Sequence, residues 1–306
     1  MPRVQILLVA PIVLLALSAE AAQRAFVAST GNDANTATSC VFTSPCRSFA
    51  AAMTVIEPKG EIVALDAAGY GAVTIDKSVT LTANPGVFAG IAASTGNAVT
   101  IATASVNVVL RNLNINGTGA ANGVVMSAGT RLTIENCVIS NFSGWGVHAQ
   151  GGGAMRLRVV DTVVRDNSVG VQVSDGAEAT LTRTTLMGNS NAALRVTNNI
   201  GSTTTANLND SVVTDNVNAG IWAEGLHNTG TARIFVTRTA VTTSLVALAA
   251  TTGPGSAHVT VGQSMVSANG YGHYTNGPGA AIYSSGNNTF AGNTVNEGVF
   301  TYLAPQ

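Results

Sequence analysis

Charge is scarce in this chain of 306 residues: 14 Lys and Arg stand against 15 Asp and Glu, 9% of all residues, for a formal net charge of -1. With no basic run and no acidic tail, it offers no matching field to nucleic acid or to an anionic membrane surface, and neither is expected as a partner. The long apolar run, Ile6 to Leu17, is too short to cross a bilayer, so no membrane span is expected. Set between Arg3 and the small-residue pattern Ala19-Glu20-Ala21, that run reads as a secretory signal over residues 1–21, cut near Ala21. The mature protein is then expected to be secreted or periplasmic, and monomeric. Histidines number four and have no matched spacing, which leaves zinc without a ligand set. No metal or other cofactor is expected, and no nucleophile signature points to Ser-His-Asp chemistry.

Cysteines are few as well. Cys40 and Cys46 flank Val-Phe-Thr-Ser-Pro in a polar loop, where an oxidising compartment favours a disulfide. Two free thiols are the alternative, and a metal would lack a His or third Cys nearby. Cys137 falls in an inward column with Leu113, Thr162, Thr184, Ser211, Thr239, Ser264 and Asn288, and reads as a buried, inert thiol.

What the chain does have is a weak repeat. Leu110, Ile134, Val159, Leu181, Leu208, Val236, Val261 and Ser285 anchor successive copies 24, 25, 22, 27, 28, 25 and 24 residues apart, a period that means a stacked array. Each copy holds three short stretches of period-two alternation, as in Leu132-Thr-Ile134, Cys137-Val-Ile139 and Gly146-Val-His-Ala149, with no 3.6-residue periodicity between them. These are three short strands, and winding once around supplies the crossover that parallel strands require. Inward side chains are expected at Leu132, Ile134, Cys137, Ile139, Val147 and Ala149, each over its counterpart Leu157, Val159, Thr162, Val164, Val171 and Val173. Eight residues after five of the anchors stand Asn167, Asn189, Asn216, Asn269 and Asn293, with Ser244 holding the position in one coil between them. They are expected in the turn after the second strand, as residues tolerant of left-handed backbone and as a stacked amide ladder, with ordinary turn asparagines as the plainer alternative.

The ends differ from the middle. Ser48 with Phe49, Met53 and Ile56 predicts a capped amphipathic helix, stopped by Pro58-Lys-Gly60, that would cover the open end of the solenoid. Residues 22–60 are thus expected as a leading segment with the Cys loop and capping helix, and 61–306 as one β-helix domain with a C-terminal cap. Four of five tyrosines, Tyr271, Tyr274, Tyr283 and Tyr302, gather there with Phe290 and Phe300, as a bulky cap or a sugar-stacking patch.

The copy Leu132-Thr-Ile-Glu-Asn-Cys-Val-Ile-Ser-Asn-Phe-Ser-Gly-Trp-Gly-Val carries a resemblance. Over about residues 61–295 the chain resembles the right-handed parallel β-helix repeat proteins, the superfamily of the pectin and pectate lyases. That resemblance implies an all-β, single-stranded, right-handed parallel β-helix of about 9–10 coils of 22–28 residues, the hand being the one general for parallel crossovers. It implies little about activity, since lyases, hydrolases, epimerases and adhesins share the fold. Trp-Ile-Asp-His, Arg-x-x-Pro and Gly-His-Gly, which mark its active families, are absent here, so no catalytic residue carries over.

Three outward rows hold candidate residues. Two residues after the anchors come Asn112, Asn136, Asp161, Arg183, Asp210, Arg238, Gln263 and Asn287, in which the alternating charges read as a surface ion-pair ladder. A lyase would instead use Asp161 and Asp210 as calcium ligands and Arg158 or Arg183 as the base, although an arginine between the two aspartates opposes calcium. Arg131, Glu135, Arg156, Arg158 and Glu178 cluster on the outer face of the first strands, as a solvated face or as a grip on a uronic-acid chain. The third row, Val125, His148, Gln172, Arg195, Trp222 and Ala247 with Trp145 nearby, has the rings, amide and guanidinium of a carbohydrate groove, provided that it is exposed. The expected function is noncatalytic binding of an extracellular or cell-wall polysaccharide at Trp222, Arg195, Gln172, His148 and Trp145. A divergent polysaccharide lyase or glycoside hydrolase is the alternative, and a structural surface protein or adhesin the third.

Overall fold

The computed structural model describes residues 22–152, 155–296 and 300–303; the expected signal peptide lies outside them. Three parallel sheets of 12, 10 and 9 strands run the length of the molecule, built from the first, second and third strands of successive coils. The coils wind into a right-handed parallel β-helix of about 9 turns. Register follows the repeat: Leu132 pairs with Leu157 and Ile134 with Val159 in the first sheet, Ile139 with Val164 in the second, Val147 with Val171 and Ala149 with Val173 in the third. All of these are buried in one core that continues along the axis. Each fully buried aliphatic side chain contributes about 1.5–3 kcal/mol, and neighbouring strands stack like on like, so coil-on-coil packing is the main stabilising term.

Two polar columns run inside the corners. Phe142 N–H donates to Asn167 Oδ1 (3.1 Å), Asn167 N–H to Asn189 Oδ1 (3.1 Å) and Asn189 N–H to Asn216 Oδ1 (3.0 Å). Each amide also donates across the coil boundary, as Asn216 Nδ2 does to Leu186 O (3.2 Å). Ser244 interrupts the series because its hydroxyl turns back to Thr242 O, and the ladder resumes as Ser244 N–H donates to Asn269 Oδ1 and Asn269 N–H to Asn293 Oδ1, both 3.0 Å. The second column repeats the device with hydroxyls: Thr184 N–H donates to Ser211 Oγ (3.1 Å), Thr239 N–H to Ser264 Oγ (3.2 Å) and Ser264 N–H to Asn288 Oδ1 (2.9 Å). Cys137 belongs to this column; its thiol is buried and burial pushes it up to about 12, so it is inert at neutral pH.

The left-handed backbone does not fall where the asparagine column suggested. It falls one residue earlier, at Asn141, Asp166, Gly188, Asp215, Thr243, Ala268 and Gly292. A second left-handed column turns the chain after the first strand, at Asn112, Asn136, Asp161, Arg183, Asp210, Arg238, Gln263 and Asn287, with φ between 47 and 57°. Asn and Asp fill most of that column because their short side chains tolerate these angles. The ladder asparagines serve hydrogen bonding instead of backbone strain.

Helix α1, Phe49–Val55, starts at Ser48, whose hydroxyl accepts from Ala51 N–H, and buries Phe49, Ala52 and Met53. It packs against the leading strands of two sheets and so covers the open end. Pro58-Lys-Gly60 does not end it: the helix stops at Val55, and strand β2, Ile56–Ala64, already contains Pro58. The first sheet also begins earlier than residue 61, because strand β1, Ala22–Val27, pairs in parallel with β2. Proline fits there, in a stretch where the β1–β2 register shifts and leaves its missing N–H undemanded. Cys40 and Cys46 form the disulfide, closing the loop beside β1. At the far end the rings of Phe290 and Phe300 meet at 4.8 Å, tilted by 60°, and pack against the core, while Tyr302 is largely exposed.

Truncating a middle rung of the ladder orphans backbone and amide groups that water cannot reach. Asn189→Ala is expected to destabilise the protein by about 3 kcal/mol and Asn293→Ala, at the partly exposed end, by about 1 kcal/mol. Urea denaturation measures both, and equal losses would show that the ladder does not act through burial.

Candidate functional site

Each of the three outward rows occupies its own ridge. After the first strand, Arg183 forks onto Asp161 (2.7 and 2.7 Å) and Arg238 onto Asp210 (2.6 and 2.9 Å), so the row resolves into two bidentate pairs instead of one continuous ladder. The hydrogen-bonded guanidinium holds each carboxyl below the usual carboxylate range. Each carboxylate already faces a guanidinium cation that a divalent ion would have to displace or abut, so this set opposes calcium. Among the described residues no group of three or more His, Cys, Asp or Glu is placed to hold a metal. Arg158 reaches Glu135 at 3.6 Å and adds a weaker electrostatic pull on Asp161.

On the outer face of the first sheet, Arg111 and Arg158 flank Glu135, and Arg156 meets Glu178 at 2.7 Å. Arg131, Arg156, Arg158, Glu178 and Asn207 line an open groove of about 590 Å³.

The third sheet presents the most developed site. Its strands carry a break after their first residue: Trp145 pairs with Val169 and Val147 with Val171, while Gly146 falls between and faces the core. A Cβ on Gly146 would lie 2.7 Å from Gly170 O and 2.8 Å from Asn167 Nδ2, so glycine makes room for the ladder in this coil, while Ala193 and Ala247 hold the same position further along. The break turns Trp145, His148 and Gln150 outward together. The strands above repeat the pattern with Val169, Gln172 and Ser174, with Ala192, Arg195 and Thr197, and with Ala219, Trp222 and Glu224. The next member of the middle column is Ala249, not Ala247: the step from Trp222 to Ala249 is 27 residues, as it is from Arg195 to Trp222, and Ala247 is fully buried.

The row is a groove and not an open stripe. His148 and Gln172 are only 6% and 5% exposed, whereas Arg195, Trp145 and Trp222 are partly exposed. Trp145 lies against the His148 ring at 4.2 Å, and the Arg195 guanidinium sits 4.7 Å over Trp222. Small Val169, Ala192 and Ala219 fill the space between the two tryptophans. Trp222 Nε1–H donates to Thr251 Oγ1 (2.7 Å), and Arg195 is ion-paired with Glu224. His148 Nε2 and Ser174 Oγ lie 3.1 Å apart, Gln172 Nε2 donates to Thr197 Oγ1 (3.1 Å), and Asp175 accepts from Gln150 (2.9 Å) and Asn199 (2.8 Å). The resulting groove, of about 270 Å³, is lined by Trp145, His148, Gln150, Gln172, Ser174, Arg195, Thr197, Asn199 and Leu226. Ser174, Thr197 and Glu224 escaped the sequence reading, although each stands two residues after a member of the row and so shares its face.

Burial pushes His148 down to about 4, against a weaker upward pull from Asp175. Between its unfolded value near 6.5 and about 4, the unfolded chain binds the proton and the folded chain does not, so folding stability falls with acid through that window. The loss reaches on the order of 3 kcal/mol below pH 4. His148→Gln is expected to flatten this part of the curve in denaturation series from pH 7 to 4; an unchanged slope would show that His148 is not the group responsible.

No curated protein sequence matches this chain. Residues 90–237 match a family described as the right handed beta helix region. Among solved structures the chain is similar to pectate lyase Pel9A, with a TM-score of 0.70 and 17% identity over 92% of this chain and 78% of that one. The A-module of the Azotobacter vinelandii mannuronan C-5 epimerase AlgE6 is more distant, with a TM-score of 0.44 and 14% identity over 81% of this chain and 90% of the other. No helix among the described residues is long and apolar enough to cross a membrane. The chain therefore has the right-handed parallel β-helix fold, which it shares with pectate lyase Pel9A.

Proposed function

We propose that this protein binds an extracellular or cell-wall polysaccharide without cleaving it, along the outer face of the third sheet. The observation that carries the reading is the groove with Trp145 on one wall and Arg195, backed by Trp222, on the other. Rings beside amides and hydroxyls suit carbohydrate, whose ring faces are apolar and whose rims donate and accept hydrogen bonds. The likeness in fold to a pectate lyase is in keeping with a polysaccharide-related role. Retention without cleavage is supported by the state of the nearby carboxylates: Glu224 is tied to Arg195, and Asp175 to Gln150 and Asn199. Neither stands free as acid or base, and hydrolysis needs two carboxyl groups across one bond. The Cys40–Cys46 disulfide supports an oxidising compartment.

One observation favours the lyase or hydrolase alternative. The groove over the first sheet sets Arg131, Arg156 and Arg158 side by side, a grouping that suits the carboxylates of a uronic-acid chain.

Retention on a panel of insoluble neutral and acidic glycans tests the proposal. Trp145→Ala and Trp222→Ala are each expected to weaken retention by roughly tenfold, while Trp222→Phe, which keeps a ring beneath Arg195, retains most of it. Retention unchanged in both alanine variants would remove this face. New reducing ends or unsaturated uronate absorbance in the same incubations, with or without calcium, would move the protein to the enzymatic alternative.

A further inference from the structure

Resting on the glycan-binding reading above, we infer that the groove on the third sheet selects an uncharged sugar unit, seated over Gln172 and against Trp145. At about 270 Å³ it lies below the roughly 300–1,000 Å³ of sites for drug-sized ligands, so it takes about one ring of a chain, not an oligosaccharide. Trp145 and the partly exposed Leu226 offer the apolar surface for a sugar face.

Charge decides the class of sugar. The one cation of the lining, Arg195, is engaged by Glu224 and stacked on Trp222. A uronate would have to break that pair, strand the half-buried Glu224, and approach Asp175 as well. His148 offers no compensating charge, since burial keeps it neutral at neutral pH.

The floor supplies a second, independent observation. Gln172 is 95% buried, its Nε2 is satisfied by Thr197, and its Oε1 has no hydrogen-bond partner. Buried carbonyl oxygens are rarely left in that state, and an orphaned acceptor weakens the fold. A sugar hydroxyl or an acetamido N–H donates to such an oxygen, so it seats a sugar ring, while the charges around the groove decide against a carboxylate-bearing one. Gln172 is flanked in its column by His148 and Arg195, so a donor reaches Oε1 as those two side chains part. Because Trp145 rests on His148, its fluorescence is expected to report that movement.

Titration of tryptophan emission with cellohexaose, xylohexaose, chitohexaose and hexagalacturonate provides the test. At least one neutral hexaose is expected to bind with at least tenfold preference over hexagalacturonate. Gln172→Met, or Gln172→Leu should the first fold poorly, is expected to weaken that binding roughly three- to tenfold. The same variants should melt at the wild-type temperature or above it, since they remove an orphaned buried oxygen. Hexagalacturonate bound as tightly as the neutral sugars, and lost in Trp145→Ala, would overturn the inference and leave the glycan-binding proposal standing. So would neutral binding that Gln172→Met and Gln172→Leu leave unchanged. Silence toward every glycan, here and on the insoluble panel, would sink both.

Discussion

A solenoid corner is a place where the chain must turn while buried, and every backbone N–H and carbonyl there needs a partner that the strands cannot supply. This molecule depends on meeting that demand from the coil next door. Asn167, Asn189 and Asn216 each accept an N–H from the coil before, or from the loop that precedes it, and return an amide hydrogen to a carbonyl of that coil. At the other corner Ser211, Thr239 and Ser264 likewise accept an N–H from the coil before, but with their shorter reach they donate to a carbonyl two residues back in their own coil. Since the partner always lies one strand spacing along the axis, the polar corners enforce the register that the aliphatic interior also prefers. Apolar stacking supplies most of the free energy, and the corners specify where each coil sits.

That coupling of sequence period to columns in space explains why so much of the fold was legible. A residue type recurring at a fixed offset from an anchor becomes a line of neighbours, so Leu132 over Leu157 and Asn167 over Asn189 follow from counting. What counting cannot do is assign a cause. Asparagine serves both left-handed turns and amide ladders, and the sequence alone does not separate Asn112, Asn136 and Asn287, which carry the left-handed angles, from the ladder residues, which do not. A wrong offset also misleads at Ala247, since the 27-residue step from Arg195 to Trp222 repeats to Ala249, and residue type misleads at the chain's start, where Pro58 lies inside a strand instead of ending a helix.

The candidate site was legible as a row and illegible as a groove. His148, Gln172, Arg195 and Trp222 do share one column on the outer face. Their burial depends on a second and third column brought alongside by the break at Gly146, and on rings lying sideways over their neighbours. Such packing across a sheet face depends on side-chain direction, which spacing along the chain does not encode. The first-turn row had the opposite fate. Its alternating charges suggested a continuous ladder, yet a guanidinium satisfies both oxygens of one carboxylate at a time, so the geometry of the fork divides four residues into two pairs.

Scarcity of charge then shapes what each face can do. Where ions are few and mostly paired on the surface, the uneven places stand out. The first sheet gathers three arginines with one glutamate in its groove, a surplus of positive charge left open to solvent. The third sheet does the reverse: it pairs Arg195 with Glu224, ties Asp175 to two amides, keeps His148 uncharged by burial, and then leaves one amide oxygen unmet beneath two side chains. A fold whose corner asparagines and hydroxyls find partners in neighbouring coils shows, at Gln172, a buried acceptor that it does not match; Thr252 Oγ1, outside the groove, is another. Natural cores tend to keep such a group where something other than stability selects for it. That contrast between satisfied corners and one unsatisfied floor is the physical reason for assigning recognition to this face and not to the more open, more highly charged one.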